Sequence, residues 1–460
     1  MEKYDVIVIG GGSAGFNVLQ QLQGQGLKVA VAENRKLGGA CPNFACVPSK
    51  ALLKCAEILH TAENTDRFGI KTKEVTFDWQ KVQEYRADKV ARTISAKSDE
   101  LLKKWGIDLL WGTAKFISPY EIEVDGKRYQ AGKFAITTGS TVNVPDIEGL
   151  RETGFINSDQ AVELKKLPQS LIILGAGAVG VELGQVFARF KIRVTIINRK
   201  LCILDKEELE IAGLAQKHLE TDGVKFILGA NFKKITQKKG RKVVSLEISG
   251  QTQEVESEEI LVATGRAPNI QDLNFENANI LLKNHKLELN EFLQTSQPHI
   301  FIAGDAAGIM QYTHVADYEG FAIGRNILGK KFKPDHRVVP RGIFIDPEIG
   351  SVGITSEQAK AQGYETASPI FPYGAARAQI SSDPKGLIKL ILDKKTRKFL
   401  GASIIGNCAA EFVHLIALAM QTGLTADQVD ALVYAYPTYA ESLGGVNFYL
   451  KHTPYLSFVV

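Results

Sequence analysis

The hydrophobic pattern at the start of the chain has the form strand, turn, helix and strand. The apolar run YDVIVIG (residues 4–10) leads into the glycine-rich GGGSAG and then into FNVLQQLQ, which has helical spacing. A second apolar run, LKVAVAE, ends on Glu33. Short apolar runs bounded by turn residues are typical of strands buried in a parallel sheet. The pattern therefore predicts a βαβ unit of the doubly wound type.

Three glycines, Gly10, Gly12 and Gly15, lie in the predicted turn. Because they have no side chains, the backbone can approach a pyrophosphate, and the next helix offers it unpaired N–H groups and a positive dipole. Glu33 can accept hydrogen bonds from an adenosine ribose. Glycine turns also occur for packing alone, but strand, helix and acid together predict a dinucleotide site, which we interpret as the FAD site.

The same pattern recurs in the middle of the chain. The apolar residues 171–174 precede Gly175, Gly177 and Gly180, which have the spacing of the first three glycines. The repetition indicates an internal duplication of the dinucleotide site. The chain is thus expected to bind two nucleotides in two related units.

The two sites differ at the end of their second strand. Asn198 stands in the second site where Glu33 stands in the first, and Arg199 and Lys200 follow it. A carboxylate repels the 2′-phosphate of NADPH, whereas arginine binds it through a charge-assisted fork and lysine as a point charge. We therefore expect NADPH. NADH remains the alternative, because the two cations can form a solvated loop and many NADPH sites have alanine where Gly180 stands.

Two cysteines between the sites are candidates for redox chemistry. Cys41 and Cys46 lie in GGACPNFACVPSK, and the helical stretch ALLKCAEILH follows. The start of a helix stabilises a thiolate, so Cys46 is expected to have a lowered pKa. Residues five apart on a regular helix are roughly 8–9 Å apart, too far for a disulfide. Cys41 is therefore expected on an irregular turn.

A cysteine pair of this spacing also fits two buried thiols or half of a metal site. The other three cysteines, Cys55, Cys202 and Cys408, are isolated, and no close group of cysteine and histidine completes a zinc site. We therefore expect no metal site. Five cysteines in 460 residues are also too few for a framework of structural disulfides.

Four motifs give the chain a specific resemblance to a known family. They are GG-x-C-x4-C-V-P-S-K, FAITTGS (134–140), VATGRAPN (262–269) and TSQPHIFIAGDAA (295–307). Together they resemble the signatures of the class I pyridine nucleotide-disulfide oxidoreductases, which include glutathione reductase, dihydrolipoamide dehydrogenase and mercuric reductase. The resemblance covers essentially the whole chain. It implies an FAD-dependent enzyme driven by NAD(P)H.

The resemblance also implies roles for individual residues. Asp305 is expected on the ribityl chain of FAD, and Gly139 and Gly265 belong to the other two cofactor motifs. Lys50 is expected near flavin N5, paired with Glu182, where a buried cation favours the reduced flavin and its partner offsets the desolvation cost. The alternative for this pair is two surface charges.

The mechanism that the resemblance implies runs through the cysteine pair. Hydride passes from NADPH to FAD, and electrons then pass to a disulfide between Cys41 and Cys46. Cys46 is expected to be the charge-transfer thiolate, and Cys41 the interchange thiol.

The architecture implied by the resemblance is α/β, with two Rossmann-like domains and a C-terminal α+β dimerisation domain. We expect the FAD domain in residues 1–149 and 272–338, the NAD(P) domain in 150–271 and the interface domain in 339–460. The strand patterns GLIKLILD and FLGASIIG and the helical EFVHLIALAMQTG fit the interface domain. A homodimer is expected.

The segment YPTYAE departs from the family's pattern. Relatives have a histidine where Tyr436 stands, and the partner subunit presents it to the interchange cysteine; the family's glutamate is present as Glu441. An ordinary tyrosine titrates at about pH 10, so disulfide exchange is expected to be slow. Mercuric reductases also carry tyrosine here, but they use a C-terminal cysteine pair, and no cysteine follows Cys408. The prediction is a mercuric-reductase-like enzyme without those cysteines.

Charge and hydropathy exclude several other classes. The 55 basic and 51 acidic residues give a formal charge of +4, too balanced for a nucleic-acid-binding or membrane-binding face. The basic run QKKGRK (237–242) surrounds a glycine and predicts a solvated turn between two strands. The early strand leaves no room for a signal peptide, and no apolar run is long enough to span a membrane, so we expect a cytoplasmic enzyme.

The electron acceptor is left open between a small molecule and a metal ion. One alternative is a dihydrolipoamide dehydrogenase or another disulfide reductase that acts within a larger complex. A second is a flavin reductase of quinones or metal ions, in which the disulfide only stores electrons. A redox sensor is a third.

Overall fold

The computed structural model describes residues 1–283 and 286–452. Its strands, in chain order, are β1 (Glu2–Ile9), β2 (Val29–Glu33), β3 (Ile107–Trp111), β4 (Ala114–Ser118), β5 (Glu121–Val124), β6 (Lys127–Ile136), β7 (Ser140–Val142), β8 (Ile156–Asn157), β9 (Ser170–Leu174), β10 (Arg193–Ile197), β11 (Lys225–Ile227), β12 (Asn231–Lys238), β13 (Arg241–Ile248), β14 (Gln251–Ser257), β15 (Glu259–Val262), β16 (Arg266–Pro268), β17 (Leu282–Lys283), β18 (Lys286–Leu287), β19 (Ile300–Ile302), β20 (Arg341–Ile343), β21 (Ile349–Gly353), β22 (Thr366–Ala367), β23 (Ile370–Pro372), β24 (Leu387–Asp393) and β25 (Phe399–Ile405).

The α-helices are α1 (Ser13–Leu22), α2 (Ala40–Asn43), α3 (Cys46–Glu63), α4 (Trp79–Ile94), α5 (Asp99–Lys104), α6 (Leu150–Thr153), α7 (Ser158–Ala161), α8 (Ala178–Arg189), α9 (Leu209–Thr221), α10 (Thr313–Ile327), α11 (Ser356–Ala361), α12 (Ala375–Ser381), α13 (Ala409–Thr422), α14 (Ala426–Asp430) and α15 (Val446–His452). Short 3₁₀ turns span Thr65–Phe68, Gln271–Leu273, Gly304–Ala307 and Ala440–Gly445.

The first sheet contains the N-terminal βαβ unit. Its strand order is β3-β2-β1-β6-β5-β4, and β19 pairs with residues 134–136 of β6, beyond the part of β6 that pairs with β5. β1 runs parallel to both β2 and β6, and its Val and Ile side chains are buried from both faces of the sheet. Burial on both faces explains why this strand is a continuous apolar run. Strand β19, far along the chain, returns to this sheet, so the first unit is discontinuous in sequence.

The second sheet repeats the first arrangement around the second glycine turn. Its order is β11-β10-β9-β15-β8, and all its pairings are parallel. The antiparallel sheet β12-β13-β14 packs beside it. The hairpin between β12 and β13 turns at Lys239 and Gly240, both with positive φ (50° and 80°), as a two-residue hairpin turn of the primed type requires. The turn predicted for the basic run is therefore confirmed.

The third sheet has the order β20-β21-β25-β24-β22, with β23 beside β24, and its pairings are antiparallel. Helix α13 packs on it so closely that a Cβ at Gly350 would lie 2.1 Å from the Ala409 carbonyl oxygen. The predicted fold class, with two Rossmann-like units and a C-terminal α+β unit, is confirmed. The domain boundaries at 149/150, 271/272 and 338/339 stay predictions.

Candidate active site

The first glycine turn is shaped by close backbone contacts. Gly10 has φ +107°, and a Cβ there would lie 2.5 Å from the Thr137 carbonyl oxygen. A Cβ at Gly15 would lie 2.1 Å from the Gly10 carbonyl oxygen. Side chains at these positions would collide with backbone, so the turn requires glycine. Gly12 is the N-cap of α1, which directs the helix N-terminus at the space above the turn.

The Glu33 carboxylate lies beneath this turn and is largely buried. Its Oε2 accepts the Gly11 N–H at 2.8 Å, and its Oε1 accepts the N–H groups of Arg35 (2.7 Å) and Lys36 (3.2 Å). The acid therefore ties together the two loops that flank the site. A carboxylate has about four acceptor sites, two on each oxygen, so Oε2 can accept one further hydrogen bond, and the arrangement fits a ribose hydroxyl.

The two candidate redox cysteines lie on separate helices. Cys41 is in the four-residue helix α2, Phe44 and Ala45 are non-helical, and Cys46 begins α3. The irregular backbone between them brings the two thiols into hydrogen-bond contact, which a single regular helix would prevent. The Thr313 hydroxyl oxygen lies 3.4 Å from Cys46 Sγ.

The pair has one acidic and one non-acidic thiol. The hydrogen bond from Cys41, helped by Thr313 and the charge of Lys50, lowers the pKa of Cys46 to about 6 despite burial. The same hydrogen bond, together with burial, raises the pKa of Cys41. At neutral pH the negative charge therefore resides on Cys46 and the shared proton on Cys41.

An ion pair joins α3 to the second dinucleotide unit. Lys50 Nζ lies 2.7 Å from Glu182 Oε2, and the Glu182 side chain is 6% exposed. Glu182 Oε1 accepts the Phe344 N–H at 2.9 Å, and the Lys50 ammonium lies 4.7 Å from the centre of the Phe344 ring. The pair is therefore not formed by two surface charges. Through these contacts Glu182 links the two dinucleotide units to the C-terminal α+β unit.

Asp305 lies in the 3₁₀ turn after β19 and accepts a short hydrogen bond from the Ser140 hydroxyl. Arg266 Nε donates to that hydroxyl oxygen and Arg266 Nη2 to the Ser140 carbonyl, both at 2.7 Å. The Gly265 carbonyl accepts the Asn143 N–H at 3.0 Å. The three cofactor motifs recognised in the sequence thus meet at one place.

One cavity of about 960 Å³ connects most of these groups. Its lining includes the following predicted site residues: Gly10, Gly12, Glu33, Cys41, Cys46, Lys50, Gly139, Glu182 and Asp305. The volume is at the upper end of ligand pockets, about 300–1,000 Å³, and suits an extended dinucleotide. The glycine turn, the buried acid and the cysteine pair therefore fit FAD bound along a single cleft.

The second glycine turn has the same backbone as the first. Gly175 has φ +105°, and a Cβ there would lie 2.5 Å from the Ala263 carbonyl oxygen; at Gly180 it would lie 2.1 Å from the Gly175 oxygen. Gly177 caps α8. The turn itself does not line the cavity, but Ala178, the next residue, does. This places the second site next to the ion pair of α3 and α8.

The end of the second strand of this unit carries one amide side chain, Asn198, and two exposed cations, Arg199 and Lys200. Asn198 donates its side-chain N–H to the Cys202 carbonyl at 2.9 Å. Arg199 and Lys200 are exposed, and the Arg199 guanidinium lies 5.6 Å from the centre of the Phe232 ring. Neither cation forms an ion pair within residues 1–283 and 286–452. Both are therefore accessible to an anionic ligand.

Tyr436 and Glu441 lie apart from the cysteine pair of their own chain. The Tyr436 side chain is 77% exposed, and Glu441 is in the last 3₁₀ turn. Neither residue lines the cavity. Within one chain, the structure does not bring them together with Cys41.

Several cavity residues were not found by sequence reasoning. They come from the start of α10, the strand β20 and the start of α13, and include Thr313, His314, Arg341 and His414. The Tyr312–Thr313–His314 segment follows the recognised Asp305 motif by only a few residues. That proximity could have indicated Thr313 and His314, whereas nothing local indicated His414.

The family is decided by comparison with known proteins. Residues 4–320 match the model of the pyridine nucleotide-disulphide oxidoreductases, and residues 339–446 match the dimerisation domain of the same family. The chain belongs to the pyridine nucleotide-disulphide oxidoreductase family. It is accordingly an FAD-dependent oxidoreductase that uses NAD(P)H and carries a dimerisation domain.

Relatives within the family carry names of different activities. The mercuric reductase of Staphylococcus aureus is 35% identical over 443 residues, which cover 96% of this chain and 81% of that protein. The dihydrolipoyl dehydrogenase of Bacillus subtilis (strain 168) is 33% identical over 461 residues, covering 96% and 97%. The Cu(II) complex of RclA, an HOCl-induced flavoprotein disulfide reductase from Escherichia coli, has a TM-score of 0.86 and 28% identity, covering 98% and 99%.

Two further properties concern the described residues only. None of their helices combines the length and apolar character needed to cross a bilayer. They also contain no group of three or more histidine, cysteine, aspartate or glutamate side chains arranged to hold a metal ion.

Proposed function

We propose that this family member passes two electrons from NADPH, through FAD and the Cys41–Cys46 pair, to a thiophilic metal ion such as Hg²⁺. The balanced reaction is NADPH plus Hg²⁺ to NADP⁺, H⁺ and elemental mercury. The observation that carries the proposal is the thiolate–thiol pair in the cavity, with the pKa of Cys46 lowered to about 6. A thiolate is the form that donates electrons.

The bound FAD supplies the capacity to accept hydride and release electrons in pairs. The chain's own residues hold the charges in place. Lys50 keeps a positive charge beside Cys46 and is neutralised by Glu182 at 2.7 Å, so the cation is stable in a partly buried position. Asp305, held by Ser140, is the polar group proposed to orient the ribityl chain.

Tyr436 supports a metal ion over a disulfide as the acceptor. Disulfide exchange needs an acid–base group with a pKa near neutrality, and an ordinary tyrosine titrates at about 10. A metal ion that takes electrons from thiolates needs no proton for a leaving group. The similarity to a mercuric reductase and to a reductase solved with Cu(II) supports the same acceptor class.

We further propose a homodimer in which Tyr436 and Glu441 lie near Cys41 of the other subunit. Apolar side chains of the dimerisation domain are exposed in the single chain, including Leu418 (60%), Leu432 (56%) and Val433 (100%). Exposed apolar side chains that lie close together are typical of a protein interface. The division into FAD, NAD(P) and interface domains, the NADPH preference and a cytoplasmic location belong to the same proposal.

The proposal is tested by an acceptor panel under anaerobic NADPH. Mercuric ion, cupric ion, glutathione disulfide, lipoamide and a quinone are compared at equal concentration with purified holoenzyme. We expect NADPH oxidation to be fastest with the metal ions and to require both cysteines. Faster turnover of lipoamide or glutathione disulfide than of either metal would overturn the acceptor assignment.

Variants of Tyr436 sharpen this test. Tyr436→His should raise turnover of disulfides, since general acid–base assistance contributes about 10²–10⁴ in rate. Tyr436→Phe should leave flavin reduction by NADPH unchanged and slow transfer to the true acceptor. Tyr434→Phe is a matched control, because the Tyr434 hydroxyl is engaged with the Val429 carbonyl at 2.7 Å. Fast lipoamide turnover that is insensitive to Tyr436→Phe would return the enzyme to the ordinary disulfide reductases.

The second candidate function is that of a dihydrolipoamide dehydrogenase or similar disulfide reductase within a larger complex. It is favoured by the alignment that covers 97% of the Bacillus subtilis dihydrolipoyl dehydrogenase. Turnover of free lipoamide by the isolated protein at a rate above that of the metal ions would select it. A quinone-selective enzyme that keeps its activity in Cys41→Ser would instead indicate a flavin reductase in which the disulfide only stores electrons.

A further inference from the structure

We propose that Tyr439 is a positioning residue that holds Tyr436 in place for the active site of the other subunit. This inference rests on the proposed role of Tyr436 and Glu441 across a homodimer. Tyr439 lies three residues after Tyr436, within the segment YPTYAE (436–441). Its ring and its hydroxyl each bind this segment to the body of the C-terminal α+β unit.

The Tyr439 ring packs in an aromatic stack. It lies almost parallel to the buried ring of Tyr373, with the ring centres 5.1 Å apart and the planes inclined by 6°. Gly374, next to Tyr373, has φ +79°, and a Cβ there would lie 2.7 Å from a carbon of the Tyr439 ring. Tyr373 in turn packs edge-on against Phe412 of α13, with the ring centres 5.2 Å apart. Aromatic pairs have preferred geometries, so these contacts fix the plane of the Tyr439 ring.

The Tyr439 hydroxyl is held by a carboxylate. It donates a short hydrogen bond to Asp383 Oδ2, two residues beyond α12. Asn407 donates its side-chain N–H to Asp383 Oδ1 at 2.6 Å, and the Asn407 carbonyl accepts the Tyr373 hydroxyl at 2.7 Å. Burial and Asp383 raise the pKa of Tyr439, so the phenol keeps its proton and remains a donor. Both oxygens of the carboxylate therefore have a partner in one connected network.

Tyr436 lies in a turn beside this network. The Thr438 hydroxyl donates to the Ala435 carbonyl at 2.7 Å, which closes the chain around Tyr436. Beyond the turn, Ser442 Oγ accepts the Gly374 N–H at 2.8 Å, so the segment is attached to the same place a second time. The Tyr436 side chain itself is 77% exposed. It is thus an exposed phenol on an anchored turn.

Anchoring matters because Tyr436 has to act across a subunit interface in the proposed function. A mobile segment loses conformational entropy when it is ordered against a partner, and a reacting group that is misplaced by about 1 Å can slow a reaction by about 10²-fold. The contacts of Tyr439 order the turn before the subunits meet. They therefore place the Tyr436 phenol without touching the reacting atoms.

The first measurement is hydrogen exchange of residues 435–442 in oxidised holoenzyme. Tyr439→Phe keeps the stacked ring and removes the hydrogen bond to Asp383. Amides of the segment should exchange about tenfold faster, the lower end of what a hydrogen bond to a charged group contributes. Asp383→Asn keeps an uncharged acceptor and should give a smaller change in the same direction. Tyr364→Phe, at an exposed position after α11 in the same unit, is the matched control and should leave exchange unchanged.

The second measurement follows electron transfer by stopped flow. In Tyr439→Phe, flavin reduction by NADPH should be unchanged, and reoxidation of the NADPH-reduced protein by mercuric ion should slow by about tenfold. The double variant Tyr436→Phe/Tyr439→Phe should be no slower than Tyr436→Phe alone, because the effects of residues that act as one unit are not additive. A residue with a purely structural role would add its own effect to that of Tyr436→Phe.

The outcomes separate this inference from the function on which it rests. If Tyr436→Phe is reoxidised as fast as the unaltered protein, the role proposed for Tyr436 fails, whatever the exchange data show. If Tyr436→Phe is slow, but exchange and reoxidation are unaltered in Tyr439→Phe, only the role of Tyr439 is overturned. A double variant that is slower than Tyr436→Phe also overturns it. If Tyr439→Phe forms fewer dimers, Asp383→Asn decides, and unaltered exchange in that variant overturns the inference.

Discussion

The two glycine turns of this chain have nearly the same backbone but different surroundings. Gly10 and Gly175 have φ of +107° and +105°, and a Cβ at either would lie 2.5 Å from a carbonyl oxygen of the neighbouring strand. A Cβ at Gly15 would lie 2.1 Å from the Gly10 carbonyl oxygen, and a Cβ at Gly180 would lie 2.1 Å from the Gly175 carbonyl oxygen. Close backbone contacts therefore fix the turn whatever side chains follow it.

The surroundings differ at the end of the second strand. Glu33 accepts hydrogen bonds from three backbone N–H groups and is buried, whereas Asn198 donates to the Cys202 carbonyl and leaves Arg199 and Lys200 exposed. The first site is thus tied to its own loops. The second can change its nucleotide with little change in its fold, because the Arg199 and Lys200 side chains form no ion pair or hydrogen bond with the residues that the structure describes.

The chain also follows different paths after the two sites. After the first it forms α2 and α3, which carry the cysteine pair into the cavity; after the second it forms an exposed loop and α9. In the proposed function, the same βαβ frame serves chemistry in one half and nucleotide selection in the other. Four predictions test this division.

The largest effect is expected from removing the thiols of the first half. Cys46→Ser and Cys41→Ser should each abolish electron transfer to the acceptor and leave the reduction of flavin by NADPH unchanged. Cys41→Ser should show a long-wavelength absorbance band without reductant, because the Cys46 thiolate remains beside the flavin, and Cys46→Ser should show none. Stopped-flow absorbance measures both.

The band should also depend on pH. A thiolate exists only above its pKa, and that of Cys46 is lowered to about 6. In NADPH-reduced protein the band should therefore be present at pH 7 and fade as the pH falls through about 6. At about pH 4.5, near the pKa of an ordinary carboxyl group and well below that of Cys46, the thiolate should be protonated. A band that persists unchanged at that pH would contradict its assignment to Cys46.

The second prediction compares the two turns directly. Gly15→Ala and Gly180→Ala each place a methyl group 2.1 Å from a carbonyl oxygen, and overpacking of this kind costs about 1–3 kcal/mol. Gly15→Ala should lose FAD and lower the melting temperature. Gly180→Ala should keep FAD and raise the KM for NADPH. Loss of FAD from Gly180→Ala alone would break the proposed division between the halves.

The third prediction concerns the exposed cations of the second site. Arg199→Ala should remove a charge-assisted contact with the 2′-phosphate, worth about 1.5–3 kcal/mol, which is about 10- to 10²-fold in the KM for NADPH. The KM for NADH should not change. Lys217→Ala, on the exposed surface of α9, is the matched control. Equal NADPH and NADH kinetics before and after the change would remove the cofactor assignment.

The smallest effect is expected from introducing a carboxylate into the second site at Asn198, the position that corresponds to Glu33. Asn198→Glu places a carboxylate near the 2′-phosphate at a partly exposed position, so the change in preference should be about 1 kcal/mol, roughly fivefold toward NADH. Asn198→Gln keeps the amide and is the control. Steady-state kinetics with both nucleotides measure the ratio, and a shift toward NADPH would contradict the comparison.

Sequence reasoning located much of the candidate site because its signals are local. The glycine spacing, the apolar runs before it and the turn at Lys239 and Gly240 reflect backbone rules that a few residues satisfy by themselves. The spacing of Cys41 and Cys46 likewise predicted an irregular backbone, and the structure shows two separate helices there. His414 and the Phe344 contact to Glu182 gave no such signal, because each reaches the cavity from a distant element.

The sequence by itself determined the two nucleotide turns, the acid that distinguishes them and the position of the cysteines at a helix start, since each depends on neighbours within one βαβ unit. The helix start already predicted Cys46 as the thiolate, but only the tertiary structure supplied the through-space contacts that lower its pKa. The pKa of Cys46 depends on Cys41, on Thr313 of α10 and on Lys50, whose partner Glu182 lies on α8 of the second dinucleotide unit. Electrostatic interactions act through space at short range, so they follow the folded contacts and not the order of the chain.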